Sequence, residues 1–164
     1  MNWIAILVAA LIPTVVGFIY YNPKVVGTAW MKAADMTEEK IQGANMGIIF
    51  GVSLILSIML SLFLTSVVIH QVHLQSLLMN EPGFGDASSE IGQLLAEMDS
   101  KYGDNFRTFQ HGALHGAIAG LFFVLPVLGT NALFERKGFK YIAINACYWI
   151  ITIALMGGII CAWQ

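Results

Sequence analysis

His70 and His73 stand three residues apart, and His111 and His115 stand four apart. On a helix both spacings put two imidazoles on one face. Imidazole nitrogen is a ligand for divalent transition metals. Four such groups brought together could hold a tetrahedral zinc ion with bonds of about 2.0–2.1 Å, and three would leave one position open to water. A carboxylate from Glu81, Asp86 or Asp104 could complete or orient the set. A haem held by two histidines on facing helices is a less favoured use of the same residues. The plain alternative is four interfacial imidazoles hydrogen-bonded to water and lipid headgroups, able to titrate near neutral pH.

Whether the two pairs meet depends on the elements that carry them. Four apolar runs dominate the chain: Trp3–Tyr21, Met46–His70, His111–Phe134 and Tyr141–Trp163. Each is near the roughly 20 residues needed to cross a hydrocarbon core about 30 Å thick. None has Asp, Glu, Lys or Arg inside its apolar core. With 57% hydrophobic and 11% charged residues among 164, the composition is that of a membrane protein. The expected fold is an all-α integral membrane four-helix bundle over residues 1–164, made of two helical hairpins with an outer loop at 71–110. The histidines then fall at one pair of helix ends, at the same depth. The first run starts at residue 3 without a basic stretch before it or a small-residue cleavage site after it, so it reads as a permanent helix. A net charge of −2 without clustered Lys and Arg argues against nucleic acid as a partner.

Lys24, Lys32, Lys40, Arg136, Lys137 and Lys140 lie in the first and third loops, against Lys101 and Arg107 in the acidic second loop. The positive-inside rule therefore puts the first and third loops in the cytoplasm, with both termini and the histidines on the outer, periplasmic side. Asn22-Pro23 should end the first helix, and Pro13 should kink it or be relieved by a neighbour. Lys24–Ala33 reads as a short interfacial helix. Thr37 followed by Glu38 and Glu39 caps a helix expected to run unbroken into the second crossing. Ile91, Leu94, Leu95, Met98 and Tyr102 form one apolar stripe, giving an amphipathic helix in the outer loop that lies on the membrane or covers the bundle's mouth. Glu135-Arg136 could pair with Lys24, Lys32 or Asp35. Cys147 and Cys161 are too far apart along one helix to bridge, and read as buried thiols, Cys161 at most pairing between chains.

Gly112, Gly116 and Gly120 repeat every four residues, which lets a neighbouring backbone approach on that face. Gly43, Gly47 and Gly51 repeat likewise and lead into Ser53, Ser57 and Ser61. Helix packing is the plainer use of all these positions. The serine ridge could also line a passive pore built from several copies. The spans hold no ionisable group near the midplane, which disfavours ion-coupled transport. The chain shows no nucleophile–base pair, no phosphate-cradling glycine loop and no HExxH, so no reaction is indicated.

Tyr20-Tyr21-Asn22-Pro23, then Gly27 and Trp30, form one recognisable stretch. Asn131-Ala132-Leu133-Phe134-Glu135-Arg136-Lys137, Ile144-Asn145, Tyr148, Met156-Gly157-Gly158 and Ala162-Trp163 form another. Over nearly its whole length outside the acidic loop, the chain resembles the family catalogued as domain of unknown function 1761, small bacterial membrane proteins with four crossings. The resemblance implies that architecture and a bacterial inner-membrane location, and implies no activity. The function expected from the sequence is a non-catalytic structural or accessory subunit in the lipid bilayer, acting through helix packing as a homo-oligomer or beside a larger complex. A metal-binding protein using His70, His73, His111 and His115 is the alternative, and a passive pore the third reading.

Overall fold

Backbone polar groups have no water to bond in hydrocarbon, so apolar runs of this length satisfy them internally as helices. The computed structural model, which describes residues 2–164, is all-helical, with no strand among the described residues. α1 is Trp3–Tyr20, α2 Thr28–Ala34, α3 Glu38–Gln42, α4 Met46–Val68, α5 Gln71–Leu78, α6 Glu90–Tyr102, α7 Phe109–Ala119, α8 Leu125–Phe134 and α9 Phe139–Ala162. Four stretches are long and apolar enough to cross a membrane: α1, α4, the combined α7–α8 span Phe109–Phe134, and α9. The chain is an integral membrane protein of four helical spans.

Local chemistry explains where the helices begin and break. The Asn2 side chain accepts from the Ile4 and Ala5 amides, that of Asn45 from Ile48, and that of Thr108 from His111. Each supplies a partner for amides that a helix start leaves unbonded. Thr37 caps α3 as expected, but α3 does not run on into the membrane. It stops at Gln42, turns through Gly43, and α4 starts afresh on the Asn45 cap. Between α7 and α8 the chain makes a wide turn over Gly120–Val124, in which the Leu125 amide reaches back five residues to the Gly120 carbonyl. Proline clashes with the carbonyl four residues before it, and such a widened turn just ahead of Pro126 makes room for the ring without ending the span. Pro13 sits inside an unbroken α1 and, lacking an N–H, leaves the Ala9 carbonyl without its helical donor. The Tyr148 hydroxyl donates instead to the carbonyl of Pro13 itself at 2.8 Å and ties α9 to α1 there.

The bundle is built around α9. Within their apolar windows 56% of α9 is buried, against 28% of α1, 17% of α4 and 11% of the α7–α8 span. Its inner face carries Ile153, Met156, Ile160 and Cys161, packed with Ala9 of α1 and with Leu64 and Val68 of α4. The closest approach is between α7 and α9. A methyl at Gly112 would collide with the Gly157 carbonyl and one at Gly116 with the Ile153 carbonyl. One at Gly120 would sit 2.8 Å from the Ile150 Cα. Glycine there lets the backbones touch, so dispersion accumulates along the seam where no hydrophobic effect acts between lipid-immersed helices. Gly47 and Gly51 are different. Both are exposed, Gly51 has no atom of this chain within 4 Å of where a methyl would go, and Gly47 meets only its own Asn45. The serine ridge does not form one outward line either. Ser61 and Ser57 are buried and Ser53 is exposed, and of the three only Ser53 and Ser57 border a cleft between α1 and α4.

At the end of the bundle away from the histidines, Tyr21 donates to Asn145 Oδ1 at 2.9 Å, and Tyr20 donates to the Ile144 carbonyl at 3.0 Å. There the basic partner of Asp35 is Lys137, at 2.9 Å, rather than the neighbouring Arg136. Lys137 Nζ also donates to the Ala34 carbonyl at 3.1 Å and so ties the α8–α9 turn to the end of α2. Hydrogen bonding to Lys137 holds the Asp35 carboxyl below its ordinary value, and the same bond raises Lys137. The α6 stripe meets α5 rather than closing over the spans, and no residue of α6 is buried.

Candidate metal centre

The histidines sit where α4 ends and α7 begins, and these ends are neighbours because the two spans run antiparallel. His70 Nε2 lies 2.8 Å from His111 Nε2, a hydrogen bond in which one ring donates and the other accepts. The His115 ring lies 4.4 Å from that of His111 and 5.1 Å from that of His70, centre to centre. One ring nitrogen from each of the three falls within 4.8 Å of the other two. His111 and His115 are on one face of α7 as their spacing requires. Both are half-buried, while His70 is exposed at the mouth.

His73 does not join them. α4 stops at Val68, Ile69 is extended (φ −112°, ψ 102°), and His70 opens a new helix. The pair therefore keeps its three-residue helical spacing on α5 instead of at the end of α4, and His73 is exposed there, outside the three-histidine set. None of Glu81, Asp86 or Asp104 belongs to the set among the described residues. Asp86 instead accepts from the Ser88 amide at 2.9 Å and hydroxyl at 2.7 Å, and those bonds hold its carboxyl below the ordinary value. A haem between His70 and His111 does not fit either, because their Nε2 atoms are already in direct contact with no gap for a macrocycle.

Residues that gave no signal in the sequence position this cluster. Phe106 adopts the left-handed conformation (φ 63°), uncommon for a bulky residue. Its ring stands 5.8 Å from that of His70 and 5.0 Å from that of His111. Arg107 donates from Nε to the Cys161 carbonyl at 2.8 Å and from Nη2 to the Trp163 carbonyl at 3.2 Å. It thereby satisfies carbonyls that the end of α9 leaves open and pins the approach to α7 against them. Gln71 Nε2 donates to the carbonyls of Tyr102, Gly103 and Asn105, fixing α5 to the end of α6. Cys161 is fully buried and faces the Val68 and Phe106 carbonyls at 3.3 and 3.2 Å, so it cannot pair between chains, and Cys147 is the exposed thiol.

Three donors converging from two elements suit a divalent ion with an open fourth position. Tetrahedral ligands at the usual zinc–nitrogen distance stand about 3.3 Å apart. The His70–His111 pair need widen only slightly to reach that. No curated protein and no solved structure matches the chain. Residues 4–161 match the model of the protein family of unknown function DUF1761, and the chain, a four-span helical membrane protein over nearly all of that length, belongs to this family.

Proposed function

We propose that this protein is an inner-membrane metal-binding protein, whose centre is His70, His111 and His115 at the outer, periplasmic end of the bundle. The observation that carries the reading is the convergence of three imidazole nitrogens within 4.8 Å from residues 41 and 45 positions apart in the chain. Chance spacing along one helix does not produce that meeting. Three neutral nitrogen ligands and no thiolate or carboxylate suit zinc, and also copper or nickel, over magnesium or calcium. With no acidic ligand, a bound divalent ion would keep its full charge, and the open position would take water, hydroxide or a small anion. Periplasmic placement follows from the basic residues clustered at the opposite end.

The test is elemental analysis of protein purified in mild detergent, loaded with zinc and then desalted. About one zinc per chain is expected. His111→Ala and His115→Ala should each abolish it, His70→Ala should weaken it strongly, and His73→Ala should leave it unchanged. Less than about a tenth of an ion per folded wild-type chain would end the proposal, since built sites of this kind hold their metal tightly.

A further inference from the structure

About 20 Å along α4 from the histidines, at the standard helical rise, α1 and α4 part to leave a cleft of about 670 Å³ floored by Tyr148 and Trp149 of α9. We infer that this cleft binds a neutral, membrane-dissolved molecule carrying ring carbonyls, a quinone-like amphiphile, which enters sideways from the bilayer. The volume lies within the range of small-molecule sites, which are mostly apolar and aromatic with a few polar groups that orient the ligand. Phe18, Phe50, Tyr21 and Trp149 offer flat surfaces on which a planar ring stacks. No Asp, Glu, Lys or Arg lines the walls, so a charged headgroup would lie unpaired in low dielectric.

The polar walls select the functional group. Thr14, Ser53 and Ser57 all border the cleft, and none of their hydroxyls has a hydrogen-bond partner among the described residues. Ser57 is the decisive one, being only 6% exposed. Hydroxyls on membrane helices normally bond back to a carbonyl one turn earlier. Thr65 does so to Ser61 at 3.2 Å and Ser66 to Phe63 at 2.8 Å on the same helix. Ser57 makes no such bond, and neither do Ser61 on the same helix and Thr152 on α9. Of these three only Ser57 borders the cleft, where a carbonyl oxygen on an aromatic-sized ring is the partner that fits it. A lipid tail would fill the volume and leave the hydroxyls of Thr14, Ser53 and Ser57 unsatisfied.

The experiment uses the whole protein in phospholipid nanodiscs, with a benzoquinone carrying a ten-carbon tail as the probe and tryptophan quenching as the readout. Saturable quenching is expected, lost on Trp149→Phe. Ser57→Ala should weaken it about threefold to tenfold, as loss of one hydrogen bond does. Ser57→Leu should abolish it by filling the cleft. Should Ser57→Leu fail to fold, Ser53→Leu at the exposed rim gives the same obstruction and should weaken binding at least tenfold. Quenching that rises linearly without saturation, or that is unchanged in Ser57→Ala and Ser53→Leu, would overturn the assignment. So would equal competition by a decyl cyclohexane lacking oxygen, which would give the cleft to lipid tails. His111→Ala should bind the quinone normally, so this inference stands or falls apart from the metal centre.

Discussion

Imidazoles meet at the mouth of this bundle because a cap, a break and a helical repeat each place one side of the site. Thr108 starts α7 so that His111 and His115 share a face one turn apart, and the extended Ile69 swings His70 over them. The α7 pair was legible from spacing alone. His73 was misleading because its three-residue spacing from His70 persists on α5, yet spacing says which residues are neighbours on a helix and not what they meet. The break at Ile69, which neither proline nor glycine marks, was not legible either. Phe106 was illegible altogether, since nothing in a phenylalanine announces a left-handed backbone. Another contact at this scale makes a pH-dependent prediction. The Asp35 carboxyl is held low by Lys137, so its contribution is complete above the ordinary carboxylate value of about 4. It is lost as pH falls through the lower folded value. Lys137 has the opposite sense: its raised value means a contribution lost only as pH climbs through it. Thermal unfolding in detergent should therefore show a larger loss of stability on acidification in the wild type than in Asp35→Asn, where Asp86 alone of the two lowered carboxyls remains. The asparagine still tolerates the left-handed backbone at that position (φ 56°).

At the level of elements, two glycine repeats with the same spacing have different fates. Gly112, Gly116 and Gly120 lie against α9 backbone, whereas Gly51 faces no atom of the chain. Gly116→Ala should then cost about 1–3 kcal/mol, the usual range for overpacking a tight contact, read as a lowered midpoint of unfolding in detergent. Gly51→Ala should be neutral, or stabilising by up to about 1 kcal/mol from helix propensity. Equal effects at the two sites would show that the α7–α9 seam is not as close as described. Sequence period alone could not separate these repeats, because a four-residue spacing says that a face is smooth and not what it touches. The four spans were legible, since their length and lack of charge follow directly from the solvent they occupy. The break at Gly43 and the widened turn at Gly120–Val124 were not, because each resolves a local conflict between a cap or a proline ring and a helix that could otherwise continue.

For the molecule as a whole, loops that alternate in charge should alternate in side. With Cys147 and Cys161 replaced by alanine, a membrane-impermeant maleimide on intact spheroplasts should label Ser88→Cys at once, and should reach Glu135→Cys only after lysis. Labelling of both from outside would overturn the alternating arrangement of the spans and, with it, the proposed placement of the histidines. The central position of α9 also bears on how the protein is made. It follows the other three spans in the chain, yet it is the one they pack against. During synthesis α1 and α4 can already pack on each other, but the glycine face of α7 must wait towards lipid until α9 arrives. Biogenesis then has a vulnerable interval that closes only when the last crossing is released, and a ribosome stalled before residue 139 should leave the α7–α8 span loose and protease-sensitive beside a paired α1 and α4.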